Sequence, residues 1–113
     1  MNRMYYPQLD ETLYTTRLEN GLHVAVVPKK GFTKKLAYFV TDYGSIHTDF
    51  SFEGKIHRVP AGIAHYLEHK LFDMPDRDVT AEFAALGAIP NAFTSYDMTA
   101  YYFSGAEAFQ KNL

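Results

Sequence analysis

The sequence predicts an α+β fold in which helices pack on a mainly antiparallel, mixed β-sheet. Two observations lead to this prediction. Short segments that alternate apolar and polar residues lie in the first and last thirds of the chain, whereas the middle repeats apolar residues every four positions. The elements therefore follow the order strands, helix, helix, strands, helix, which indicates helices packed on a mainly antiparallel sheet.

The first third of the chain consists of strands and loops. Two alternating segments, residues 14–18 and 22–27, flank Asn20-Gly21, the residue pair preferred in a tight hairpin turn. Residues 36–43 are rich in aromatic and apolar side chains and predict a third strand. Residues 48–59 are polar and irregular, and we predict a loop for them.

The period then changes to that of a helix. Ile63, Leu67 and Leu71 recur every four residues with Ala64 beside them, so we predict a helix in which these residues form the buried stripe. Pro75 ends this helix, because proline cannot continue it.

A second helix is predicted from Asp78 or Thr80 to Leu86, with Gly87 as its C-terminal stop. Its apolar residues are spaced to face inward. Three further elements follow, namely strands over residues 91–96 and 99–103 and a helix that begins near Ala106.

Length and composition are those of one ordinary globular domain. The chain has 113 residues, 47% hydrophobic and 21% charged. A formal net charge of -2 gives no electrostatic reason to expect binding to nucleic acid or to an anionic membrane. The absence of cysteine excludes disulfides and thiolate metal sites. No apolar run is long enough for a signal peptide or a membrane span, so we predict a cytoplasmic protein.

Three residues of the first predicted helix have the types and spacing of a hydrolytic metal site. At about 100° per residue, His65 and His69 are neighbours on one face and Glu68 projects beside them. Two neutral imidazoles can share a zinc ion at about 2.0–2.1 Å. A carboxylate beside them can take the proton of a metal-bound water that attacks a carbonyl. Chance would give only roughly 0.01 such H-x-x-E-H matches in this composition.

The other histidines lack ligand spacing. His23 falls in a predicted strand, and His47 and His57 fall in the predicted polar loop. We interpret all three as ordinary surface histidines.

Two longer sequence blocks, one around the H-x-x-E-H motif and one after it, carry a wider resemblance. Residues 61–72 read AGIAHYLEHKLF, and residues 87–102 read GAIPNAFTSYDMTAYY. Together they resemble the insulinase/pitrilysin family, peptidase family M16, whose motif order inverts the commoner H-E-x-x-H. The likeness extends to residues 20–24 and 43–45 and covers most of residues 12–113. The YLEHKLF variant is most similar to a Gram-positive bacterial, cytoplasmic branch of the family.

The resemblance implies both a fold and an activity. The fold would be the N-terminal part of an M16 (LuxS/MPP-like metallohydrolase) domain. The full-length protein would be a zinc-dependent metalloendopeptidase, with His65 and His69 as Zn²⁺ ligands and Glu68 as the general base that activates a metal-bound water.

The resemblance also implies a substrate strand. The strand that begins with Asn91, Ala92, Phe93 and Thr94 would border the cleft. A peptide or unfolded polypeptide would add to it as a further strand, with affinity from main-chain hydrogen bonds.

The third zinc ligand of the family is a glutamate on a later helix. After His69 this chain contains only Glu82 and Glu107, and both lie too near in sequence to match. We therefore expect residues 1–113 to be a partial N-terminal catalytic domain that stops before the third ligand and lacks the second lobe of the cleft. Such a fragment should bind zinc weakly and show little peptidase activity.

Two alternative functions are compared with the peptidase hypothesis. A non-catalytic peptide-binding partner subunit of an M16 pair is the alternative, although such a subunit has no physical need for the base Glu68. A structural zinc module fits poorly, because such sites use four closed protein ligands. An uncovered sheet edge would also permit a homodimer or pairing with another M16 subunit.

Overall fold

The computed structural model describes all of residues 1–113 and divides the chain into two compact units, Met1–Phe32 and Thr33–Leu113. Every strand pair in both units is antiparallel, and the second unit also contains three helices. The predicted α+β class is therefore confirmed. The longest helix has ten residues, and no helix has the length and apolar character needed to cross a membrane.

The first unit is a three-stranded sheet in the order β1-β2-β3. Its strands are β1 (Asn2–Tyr6), β2 (Glu11–Arg17) and β3 (His23–Val26). The predicted hairpin around Asn20-Gly21 is confirmed, with Gly21 at φ 90°, a conformation that glycine adopts without a steric penalty. Strand β1 was not predicted, because residues 2–6 show no regular alternation and pair with β2 mainly through the backbone.

The second unit contains the remaining elements. In chain order they are β4 (Lys35–Thr41), β5 (Asp49–Phe52), β6 (Lys55–Arg58), α1 (Ile63–Phe72), β7 (Asp73–Met74), β8 (Arg77–Asp78), α2 (Val79–Ala85), β9 (Ala88–Thr94), β10 (Thr99–Gly105) and α3 (Phe109–Asn112). The predicted strands around residues 36–43, 91–96 and 99–103 and the two predicted central helices are confirmed within a few residues. The predicted final helix is also present, although it starts three residues later.

The central sheet of the second unit has the order β4-β10-β9, so β4 and β9 are its edges. All three helices contact the same face of this sheet. Tyr101 and Phe103 of β10 both lie on that face. Tyr101 contacts Phe72 of α1. Phe103 contacts Phe83 of α2 and Phe109 of α3. The apolar core is small, since the buried apolar side chains are only Ala64, Ala88, Ala100 and Phe103.

The predicted loop over residues 48–59 is wrong, because β5 and β6 form a hairpin there. Glu53 and Gly54 occupy its two turn positions at φ 50° and 73°, as a two-residue hairpin turn requires. The rings of Phe50 and His57, directly opposite each other in register, stack at 5.5 Å. The sequence concealed this hairpin because Glu-Gly is not a strong turn pair and the strands carry exposed charged residues.

The predicted buried stripe of α1 is wrong at its two leucines, although Ala64 is buried as predicted and Ile63 is half-buried. Leu67 and Leu71 are 47% and 41% exposed, whereas Ala64 and Glu68 are 2% and 8% exposed. The helix is therefore rotated so that Ala64, Glu68 and the half-buried Phe72 face the sheet. A small side chain at position 64 permits close approach, and Glu68 finds a hydrogen-bond partner on β9. These tertiary contacts outweigh the apolar period of the leucines.

Helix α2 matches its predicted signals. The Asp78 carboxylate accepts a hydrogen bond from the Ala81 N–H at 3.0 Å, which satisfies one of the free amides at a helix N-terminus. Gly87 follows the helix at φ 70°, so the chain turns directly into β9.

The loop after β4 lies tightly against the turn between β9 and β10. Ser45 and Ile46 donate backbone hydrogen bonds to Ser95 O and Tyr96 O, both at 3.0 Å. A Cβ added to Gly44 would lie 2.4 Å from Tyr96 O. Because both sides of this contact are backbone, neither can rotate away, and only glycine fits.

We predict that Gly44→Ala destabilises the chain by about 2 kcal/mol or more, since overpacking typically costs about 1–3 kcal/mol. Urea unfolding followed by far-UV circular dichroism measures the change. Gly105→Ala is the comparison variant, because its added Cβ would meet Ala88 Cβ and Gly87 O at 3.2 Å, a tight contact but a much milder one than at Gly44, so we expect a smaller loss of stability. Equal urea midpoints for the two variants would show that the loop does not require this close approach.

Candidate functional site

Helix α1 presents its two histidines side by side on an exposed face. His65 and His69 are one turn apart, with Nε2 atoms 3.0 Å from each other and ring centroids 4.8 Å apart. The helix begins after Gly62, whose φ of 94° allows a sharp turn out of the preceding loop. The predicted juxtaposition of these two residues is thus present.

The separation of the two Nε2 atoms suits a shared metal ion. Two nitrogens bound to one tetrahedral zinc ion at about 2.0–2.1 Å lie about 3.3 Å apart, close to the 3.0 Å here. No group of three or more His, Cys, Asp or Glu side chains in the structure could hold a metal ion. A metal at this position would therefore have two ligands from this chain, with its other coordination positions open.

Glu68 lies on the inward side of the same helix. It is 8% exposed, and its Oε2 accepts a hydrogen bond from the Thr94 hydroxyl at 2.6 Å. No protein group donates a hydrogen bond to the other oxygen, Oε1. The only buried side-chain N or O atom without a hydrogen-bond partner is Asn112 Oδ1, so Oε1 is not a buried atom. Oε1 therefore keeps access to solvent. The carboxylate has one oxygen held by the protein and one oxygen free.

The predicted substrate residues form the end of β9, an edge strand of the central sheet. Asn91 and Phe93 are exposed on one face, whereas Ala92 and Thr94 alternate onto the face that the helices cover. The structure therefore brings Thr94 to Glu68, and it brings the other three residues to the strand beside α1 without a side-chain hydrogen bond to the motif.

The hydrogen-bond register determines which main-chain groups of β9 face outward. Ser95 N–H donates to Met98 O at 2.8 Å, so bonded and non-bonded pairs alternate back from this pair. The N–H and C=O groups of Thr94 and Ala92 consequently point away from β10. The Ala92 N–H accordingly bonds to Asn91 Oδ1 at 2.8 Å. The free edge of β9 therefore offers main-chain groups beside the histidine helix.

Tyr101 also belongs to the site, although it lies outside the H-x-x-E-H motif. Burial raises its pKa above the ordinary 10.0, and the nearby charge of Glu68 raises the pKa further. Its position in the Thr-x-Tyr block, with Thr99 and Tyr101 on one strand face, is the only sequence signal for its inward orientation.

None of the remaining histidines belongs to a group of three or more side chains that could hold a metal ion. His23 is exposed, as predicted. His47 and His57 are half-buried against Tyr43 and Phe50 instead of on the surface. His47 Nδ1 also accepts the Gly44 N–H at 2.8 Å, so this histidine helps to hold the loop after β4.

We predict that the Tyr101 phenol ionises above pH 10.0 and that Glu68→Gln lowers its pKa toward, but not to, that value. Burial, the larger cause, remains in the variant. Because the folded pKa is raised, the stability contribution of neutral Tyr101 is complete below pH 10.0 and is lost as the pH rises through the folded pKa. NMR titration of ¹³C-labelled tyrosine measures both values. Glu82→Gln, at an exposed glutamate on α2, should leave the midpoint unchanged; an unchanged midpoint in Glu68→Gln would contradict the assignment.

The chain is similar to known proteins in both sequence and structure. Residues 57–112 match the insulinase family, peptidase family M16. The chain is 53% identical over 111 residues to the uncharacterized zinc protease YmfH of Bacillus subtilis, covering 96% of this chain and 26% of that protein. It is 31% identical over 102 residues to a second Bacillus subtilis protein named as a zinc protease, AlbF, covering 90% of this chain and 24% of that protein.

A solved structure from Alicyclobacillus acidocaldarius, titled as an M16-like peptidase, superposes with a TM-score of 0.83 at 44% sequence identity. The match covers 96% of this chain and 25% of that one. The chain thus spans about a quarter of the length of these relatives. The family match, the two relatives and the superposed structure show together that the chain belongs to the insulinase family of peptidases, family M16.

Proposed function

We propose that this chain is part of a zinc-dependent endopeptidase as long as the relatives named above. Such a protein is called a relatives-length polypeptide below. The observation that carries the proposal is the arrangement on α1. Two imidazole nitrogens converge to 3.0 Å on the exposed side, and a buried carboxylate with one free oxygen follows on the same helix. The names of the relatives support a proteolytic role.

His65 and His69 would hold the metal through their Nε2 atoms. A bound zinc ion supplies Lewis-acid chemistry, since it polarises a carbonyl and lowers the pKa of water. Glu68 takes a proton from the attacking water at Oε1, the oxygen without a protein partner. The water oxygen bonds to the peptide carbonyl carbon, the C–N bond breaks, and the proton passes from Glu68 to the departing amine.

The peptide would bind along the outer edge of β9 as an added strand. The outward N–H and C=O groups of Ala92 and Thr94 would pair with its backbone. Asn91 Oδ1 occupies the Ala92 N–H, so a bound peptide carbonyl would have to replace it there. Recognition through main-chain groups suits an enzyme that accepts extended or unfolded polypeptides of varied sequence.

On this proposal, residues 1–113 supply only part of the ligand set of the metal ion. Catalytic zinc sites have three protein ligands and one open position, whereas α1 supplies two histidines. We infer that the further ligand belongs to the part of a relatives-length polypeptide outside these residues. Residues 1–113 alone should then bind zinc weakly and hydrolyse peptides little.

We predict that His65→Ala and His69→Ala each weaken Zn²⁺ binding to residues 1–113 by about tenfold or more, because each removes one of two ligands. Glu68→Gln should retain binding within about threefold, since a base is not a ligand. Calorimetric titration with Zn²⁺ measures all three. His23→Ala, at an exposed histidine of the first unit, is the control; equal losses in His23→Ala and His65→Ala would refute the shared site.

We predict that Glu68→Gln in a relatives-length polypeptide lowers kcat for an unstructured peptide by about 10²–10⁴-fold, the usual contribution of a general base. Zinc content should remain near one equivalent. The measurements are cleavage of a fluorogenic peptide and metal analysis of the same sample. Wild-type protein that binds the peptide but neither retains zinc nor cleaves would instead support the non-catalytic partner subunit.

A further inference from the structure

We propose that Thr94 is a positioning residue that orients Glu68 through its hydroxyl, so that Oε1 of the carboxylate is the oxygen presented to the reacting water. This inference rests on the proposed peptidase function. It assigns to the Thr94 side chain a role distinct from the substrate contact expected of its strand.

The contact itself is short and exclusive. Thr94 Oγ1 donates to Glu68 Oε2 at 2.6 Å, within the range for a hydroxyl bonded to a carboxylate. Neither group has another side-chain hydrogen-bond partner, and no salt bridge involves Glu68. The orientation of the buried carboxylate therefore depends on this single donor.

Thr94 is well suited to hold a flexible side chain. A β-branched residue has few χ1 rotamers, and the hydrogen-bonded pairs on either side of Thr94 hold its backbone in place. Glu68 has three side-chain torsions, and without a donor its carboxylate would retain several orientations. The hydrogen bond therefore restricts the Glu68 carboxylate on α1 to one orientation relative to the sheet.

The side chain and the main-chain polar groups of Thr94 face different parts of the structure. The hydroxyl faces α1 and is already engaged as a donor to Glu68, whereas the N–H and C=O of Thr94 face the free edge of β9. One residue thus links the peptide-binding edge to the base. A peptide paired with the main chain of Thr94 would be held at a set position relative to Glu68.

The first test reads the carboxylate directly in residues 1–113. In protein labelled with ¹³C-glutamate, the Glu68 Cδ resonance is assigned by its loss in Glu68→Gln. We expect Thr94→Val, which removes the hydroxyl at nearly constant volume, to shift and broaden this resonance. Thr94→Ser, which keeps the hydroxyl, should leave the resonance near its wild-type position. An unchanged resonance in Thr94→Val would overturn the proposal.

Thr99→Val is the matched control for loss of a threonine hydroxyl. Thr99 lies opposite Thr94 and is 2% exposed, but its Oγ1 donates to Tyr43 O at 2.8 Å and not to Glu68. It should lower stability without moving the Glu68 resonance. If Thr94→Val does not fold, Thr94→Ala is measured in the same way. A Glu68 shift as large in Thr99→Val as in the Thr94 variants would overturn the proposal.

The second test uses a relatives-length polypeptide and separates kcat from KM. Thr94→Val should lower kcat by about tenfold or more with KM within about twofold, because positioning acts on the reaction step. Thr94→Ser should restore most of kcat, and Zn²⁺ content should not change in either variant. A raised KM with unchanged kcat would overturn the proposal and make Thr94 a substrate contact. If wild type and Glu68→Gln are equally inactive, the peptidase function fails, while the resonance shift still decides whether Thr94 orients the carboxylate.

Discussion

The hydrogen bond between Thr94 and Glu68 is the interaction on which the orientation of α1 against the central sheet depends. It joins α1 to β9, two elements whose bonded residues are 26 positions apart in the chain. A carboxylate that is 8% exposed requires a partner, because burial without one is costly. Only one rotation of α1 about its axis brings Glu68 to β9, so this bond sets which residues of the helix face the sheet and which face outward.

That rotation explains both the open face that carries the two histidines and the exposed leucines. With Ala64 and Glu68 directed at the sheet, His65 and His69 project outward, where their Nε2 atoms converge. The same rotation leaves Leu67 and Leu71 largely exposed, although their spacing is that of a buried stripe. On the proposed function, this arrangement places the base inward and the ligands outward and keeps Glu68 out of the ligand set, which suits a proton acceptor.

The edge position of β9 complements this arrangement. Because β10 lies between β4 and β9, the main-chain groups of Ala92 and Thr94 on the far side of β9 have no strand to pair with. Asn91 covers one of them with its own side chain, which is one way to protect an edge from unwanted pairing. The strand that supplies the donor for Glu68 is therefore also the strand with a free edge. On the proposed function, peptide binding and proton transfer would both depend on this strand.

The sequence by itself determined the fold class, most of the strands and helices, and the pairing of His65 with His69. These features depend on residues a few positions apart, which backbone periodicity brings together whatever the rest of the chain does. Only the tertiary structure decided the β5–β6 hairpin, the pairing of β1, the rotation of α1, the bond from Thr94 and the place of Tyr101 beside Glu68. The rotation of α1, the bond from Thr94 and the place of Tyr101 depend on partners distant in sequence. The β5–β6 hairpin and β1 instead pair with strands close in sequence, where the local turn and strand signals are weak. An apolar period shows that a helix has a hydrophobic side, but contacts with the neighbouring sheet decide which side is buried.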